Sequence, residues 1–159
     1  MKKTVRPKKK LQQSHPHPEP SPQVFYFDCK SDQKEIRRIE PFLLKLNEVA
    51  RLDDGTFYRL LVAGTEAVNN GILHGNKGDK KKFVHVTCVL GKDSLIFRVK
   101  DEGRGFNPEE VPDPLEEKNL LKTSGRGIFL MRSLMDKVSY KMTADGTEVE
   151  LVIDLKHHG

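Results

Sequence analysis

The chain has 159 residues, 36% of them hydrophobic, which suits one domain with a genuine core. Its net charge of +5 sits entirely in residues 1–22, where six lysines and arginines face one glutamate. Residues 23–159 are formally neutral, which excludes an electrostatic nucleic-acid footprint on the domain itself.

Residues 1–22 also hold five prolines and almost nothing apolar. That composition cannot bury a core and predicts a disordered basic tail, with the domain spanning 23–159. His15 and His17 read as solvated tail residues. The basic start leads into Pro, Gln and His, so it is no secretory signal, and no run of about 18 apolar residues exists to span a membrane. A cytoplasmic protein is expected. Cys29 and Cys88 match no metal or redox spacing and are expected to be buried free thiols.

Residues 24–29 (VFYFDC) read as a strand, and 33–50 as a helix with Asp32 and Glu35 at capping-box spacing and a kink or split near Glu40 before Pro41. A second helix should begin near Asp53 or Asp54 and run to about Leu73. Its apolar face comprises Phe57, Leu60, Leu61, Gly64, Ala67, Val68, Gly71 and Ile72. Glu66, Asn70 and His74 recur every fourth residue along one flank of it. Two hairpins follow, 83–90 with 95–101 around GKDS, and 137–142 with 147–155 around ADG. Between them lie an irregular stretch from Glu102 to Thr123 and a third helix at about 126–136, after SGRG. This order predicts a two-layer α/β sandwich, its mixed, mostly antiparallel sheet carrying helices on one face.

The period of two puts Leu95, Phe97 and Val99 on the core side, and Asp101 continues that row. Thr147 likewise heads the row of Val149, Leu151, Ile153 and Leu155. Two polar groups thus end two core-facing rows, which is how an apolar pocket acquires directed polar groups. DEGRGF and SGRGIF supply two Gly-x-Gly elements around a long loop, and Gly125 and Gly127 should directly precede a helix whose first N–H groups can hold phosphate. Asn70 is an oxygen donor suited to Mg²⁺, and Glu66, one turn earlier, can orient or deprotonate a nucleophile. Taken singly, each has an ordinary reading. Glu66 would be a solvated helix glutamate, His74 a hydrogen-bonded helix-end histidine, Asp101 a turn aspartate and each Gly-x-Gly a turn or cap.

In order, EAVNNGILHGNKGD, DEGRGFNP, SGRGIFLMRSLMD and GTEVELV closely resemble the N, G1 and G2 boxes and closing Gly-Thr of the GHKL (histidine kinase-like) ATPase superfamily. Within it, residues 24–155 look like the anti-sigma factor serine/threonine kinases, the RsbW-like group. The resemblance implies a Bergerat-type ATP-binding fold with ATP and Mg²⁺ as cofactors. By matching position it implies Glu66 as general base, Asn70 as Mg²⁺ ligand, and Asp101 with Thr147 on the adenine amino group. Gly103 and Gly105 would shape the adenine pocket, and Ser124, Gly125, Arg126 and Gly127 the phosphate-binding element. Some members carry arginine just before the Ser-Gly, where this chain has Thr123 after Lys122. The implied partners are a sigma factor and a STAS-type anti-sigma antagonist, with a homodimer as a further option and neither nucleic acid nor membrane as a direct partner. The competing classes are a non-catalytic ATP-gated binding module, a histidine-kinase catalytic domain (for which the chain has no helical dimerisation domain) and nucleic-acid binding through residues 2–10.

Overall fold

The computed structural model describes residues 16–104 and 123–156. Five strands form one sheet: β1 (Gln23–Lys30), β2 (Phe83–Leu90), β3 (Ser94–Lys100), β4 (Lys137–Thr143) and β5 (Gly146–Asp154). Their order is β1-β2-β3-β5-β4. Every pairing is antiparallel, so the sheet is not mixed. The two tight hairpins make β2–β3 and β4–β5 antiparallel of necessity, and β1 and β5 dock the same way on the outer sides of β2 and β3.

Three helices, α1 (Ile39–Ala50), α2 (Asp54–Asn70) and α3 (Thr123–Leu134), cover one face. The first helical region splits as expected: a 3-10 segment, Gln33–Arg38, hands over to α1. Pro41 then falls in the first turn of α1, where a missing N–H costs nothing because those donors have no intrahelical acceptor. Asp32 caps the 3-10 segment by accepting from the Lys34 N–H, but Glu35 pairs with Arg38 instead of closing a capping box. Asp53 caps α2, accepting from the N–H and hydroxyl of Thr56 at 2.8 and 2.9 Å, a contribution of about 1 kcal/mol.

The core lies between the layers. Val84, Val86 and Cys88 of β2, Leu95, Phe97 and Val99 of β3 and Val149, Leu151 and Ile153 of β5 meet Leu43 and Leu46 of α1, Leu60 and Val68 of α2, and Ile128 and Met131 of α3. Phe97 packs on Gly64, where an added Cβ would lie 3.1 Å from the ring. Cys29 and Cys88 are buried free thiols, pushed up to about 11 and about 12, by burial above all. The other sheet face carries Asp28, His85, Lys100, Glu148 and Lys141 opposite one another across the five strands, and an apolar row of Val24, Val89, Ile96 and Val152 nearer its other end.

Residues 1–15 of the expected tail lie outside the described residues; 16–22 are exposed and precede β1 without regular structure. Glu19 reaches Lys92 at 3.6 Å in an exposed ion pair, worth at most about 1 kcal/mol. Deleting residues 1–22 is therefore expected to leave the melting temperature nearly unchanged. A large fall would mean that the tail belongs to the folded unit. Among the described residues no helix is long and apolar enough to cross a membrane.

Candidate nucleotide site

Asp101 stands just beyond β3 on the core side and is 3% exposed. Its Oδ1 accepts from the backbone N–H of Gly103 at 3.0 Å and of Thr147 at 3.1 Å. Its own N–H donates to the Thr147 carbonyl at 3.0 Å. The strand parity therefore brings the two row ends together, with the Asp101 carboxylate bonded to the backbone of Thr147. Oδ2 is the oxygen left for another donor.

Three glycines enclose this carboxylate. A Cβ on Gly75 would run into Asp101 Oδ2, one on Gly146 into the Asp101 carbonyl oxygen, and one on Gly103 into the Gly75 carbonyl oxygen. Gly146 also has φ of +144°, a conformation that side chains rarely adopt. Sequence reasoning noted Gly146 only as part of the closing Gly-Thr and missed Gly75; the signal was glycine next to His74 and Asn76 in a helix that had no need of it.

Between α2 and this corner the helix widens. Gly71–Gly75 is a π-helical turn, with the Asn76 N–H reaching back five residues to the Gly71 carbonyl at 2.8 Å. The extra residue breaks the four-residue stripe, and His74 leaves it for solvent. The stripe of Glu66, Asn70 and His74 is thus reduced to Glu66 and Asn70.

That pair does not lie on an open flank. Asn70 is 6% exposed and Glu66 half-buried, because α3 crosses α2 there. The crossing is close at Gly127, where an added Cβ would lie 2.7 Å from Glu66 Oε2 and 3.3 Å from Asn70 Nδ2. Burial raises the Glu66 carboxyl above its ordinary value. Gly125 and Gly127 correct a second expectation: they lie within α3, which starts at Thr123, instead of preceding it. A glycine costs little in a first helical turn, and packing of Ile128 and Met131 on α2 and the sheet offsets that cost. Gly125 and Arg126 still belong to the turn whose N–H groups lack intrahelical acceptors; Arg126 is exposed. Gly105 and Lys122 lie outside the described residues.

Asn70, Asp101 and Thr147 line one cleft, walled by Ala67, Val99 and Met131. Its free volume is about 10 Å³, room for about one water molecule.

Residues 29–153 match the family model of the histidine kinase-like ATPase domain. The chain belongs to this family. It is 35% identical over 131 residues to an anti-sigma F factor of Anoxybacillus flavithermus, covering 79% of this chain and 87% of that protein. An anti-sigma F factor of Bacillus cytotoxicus is 37% identical over 76 residues, 46% of this chain and 52% of its own length. The histidine kinase domain of the blue-light activated histidine kinase of Erythrobacter litoralis EL346 shares the fold, with a TM-score of 0.50 at 16% identity over 77% of this chain and 66% of that one. Membership of an ATPase domain family implies ATP binding.

Another residue that sequence reasoning missed is Asn76. It is 1% exposed. Its Nδ2 donates to Ser31 Oγ at 2.7 Å and to the Phe83 carbonyl at 2.9 Å, and its Oδ1 accepts from the Glu102 N–H at 2.7 Å. It ties the end of the π-turn to the corner that carries Asp101.

Proposed function

We propose that the chain is an ATP-dependent anti-sigma factor and protein serine/threonine kinase of the cytoplasm, which sequesters a sigma factor and phosphorylates a STAS-type antagonist. The observation that carries this reading is the convergence of Asp101, Thr147 and Asn70 on one cleft with Glu66 beside it. The names of the anti-sigma F relatives support the partner class.

Asp101 Oδ2 accepts from the adenine amino group, with Thr147 holding the carboxylate in place. The first-turn N–H groups of α3, at Ser124, Gly125 and Arg126, face phosphate, and Gly127 lets the helix approach Glu66 and Asn70. Among the described residues no cluster of three or more His, Cys, Asp or Glu side chains could hold a metal alone. One amide oxygen, from Asn70, fits Mg²⁺, which takes few protein ligands and completes its shell with phosphate oxygens and water. Bound there, Mg²⁺ supplies charge neutralisation on the phosphates. Glu66 takes the proton of the attacking hydroxyl, and its burial keeps it a stronger base than an exposed glutamate.

Thr123, where some members have arginine, favours one alternative: a nucleotide-gated binding module without transfer. Transfer of the γ-phosphate from labelled ATP to a native STAS antagonist separates the two. Sigma binding with ATP but no transfer to any native antagonist would leave the binding module.

Asp101→Asn tests the adenine contact. The amide oxygen can keep the two N–H bonds to Gly103 and Thr147, so the new NH₂ replaces the free oxygen and opposes the adenine amine. Loss of such a buried, charge-assisted bond is expected to cost about 1.5–3 kcal/mol of ATP binding, measured by calorimetry. Unchanged affinity in a folded variant would remove Asp101 from adenine recognition.

A further inference from the structure

Glu102, directly after Asp101, is held on three sides. Its N–H donates to Asn76 Oδ1, its Oε1 accepts from the Phe83 N–H at 2.6 Å, and its Oε2 faces His85 Nε2 at 3.3 Å. His85 Nδ1 faces Asp28 Oδ1 at 2.8 Å. An imidazole bridging two carboxylates donates to both only when it carries two protons. Once neutral, it keeps one donor. The shorter contact is to Asp28, so Nε2 becomes the bare nitrogen and turns its lone pair on Glu102.

We propose that Asn76, Glu102 and His85 form a clasp that positions the Asp101 corner for adenine, and that protonation of His85 tightens it. The inference rests on the nucleotide reading of the cleft. The chain of contacts runs without a gap from β1 (Asp28) through β2 (His85, Phe83) to Glu102, whose two neighbours are bonded to each other through Asp101 Oδ1.

The other charges around the imidazole are Lys82 on the approach to β2, Lys100 opposite it on β3, Arg104 after the corner and Asp145 in the β4–β5 turn; Phe83 stacks on it at 6.3 Å. These groups border an open cleft of about 440 Å³, which gives His85 direct exchange with solvent. Partial burial opposes its charge, but the hydrogen bonds and charges of Asp28 and Glu102 outweigh this and raise its pKa above the ordinary 6.5. A raised value in the folded protein means that the contribution is complete below about pH 6.5 and disappears as pH rises through the folded value. Because the tightened clasp is the nucleotide-binding form, bound nucleotide favours protonated His85, and affinity falls as pH rises through the His85 transition.

The experiment is calorimetric titration of the full chain with ADP from about pH 5.5 to about pH 8.5, spanning the histidine transition. Wild type is compared with His85→Gln, an exposed neutral replacement in which titration of ADP itself still occurs. The affinity of wild type relative to His85→Gln is expected to fall about two- to fivefold across the range, the size of an exposed ion pair. By linkage, saturating ADP must move the NMR titration midpoint of the His85 imidazole upward, which a purely structural histidine would not show. Glu102→Gln is expected to abolish both effects while keeping its oxygen on the Phe83 N–H. Parallel profiles for wild type and His85→Gln, with both binding ADP, would overturn the clasp and leave the nucleotide site intact. Absence of ADP binding at every pH would overturn the nucleotide site and the clasp with it.

Discussion

Changing Glu66 to glutamine is expected to leave ATP bound and to slow phosphoryl transfer about 10²–10⁴-fold, the usual contribution of a general base. The substitution is nearly isosteric, which matters because the side chain stands against the backbone of α3 at Gly127. Glutamine preserves that packing and the helix crossing but cannot take a proton. The reaction relies on positioning and electrostatics, so a correctly placed group without basicity isolates the proton step. The two readouts are ATP affinity and γ-phosphate transfer to the antagonist. Transfer at the wild-type rate would remove Glu66 from the chemistry. A parallel loss of ATP affinity would mean that it serves binding instead.

Gly103→Ala is expected to abolish detectable ATP binding and to destabilise the fold by about 1–3 kcal/mol, in the range of overpacked sites. The obstacle is the carbonyl oxygen of Gly75, a backbone atom that no rotamer change can remove. Relief requires the corner to move away from the π-turn. That movement breaks the Gly103 bond to Asp101 and pulls Glu102 from Asn76. Gly91→Ala is the control, since its added Cβ meets nothing closer than the Ser94 carbonyl at 3.4 Å. Thermal melts and calorimetry on both variants check the expectation. A Gly103→Ala protein that binds ATP normally would mean that the corner is not part of the pocket.

Strand composition, alternation and helical periodicity are local, and they located all five strands, both hairpin turns, the α2 core face and the facing of Asp101 and Thr147. The features that escaped depend on a partner element. Asn70 is buried because α3 covers it, and nothing in the α2 sequence announces that cover. The start of α3 was expected three residues late because Gly125 and Gly127 read as a loop; their role is to let two helices approach. His74 shares the spacing of Glu66 and Asn70, yet a π-turn separates it from them, and widened turns have no periodic signature of their own. Asn76 carries no periodic signal of its own. Its meaning comes from Phe83 at the start of β2 and from Ser31 and Glu102, which lie far from it in the chain.

The widened turn at Gly71–Gly75 makes winding, more than side-chain identity, the critical property of this segment. A regular helix rotates about 100° per residue, so if these five residues wound as α-helix, everything beyond them would be carried round by up to roughly that angle. Gly75 would no longer face Asp101, and the Asn76 amide would leave Glu102 and Phe83, although Glu66 and Asn70 stayed where they are. The winding of one turn therefore connects the Asp101 corner to the Glu66–Asn70 pair, independently of the residues named at either.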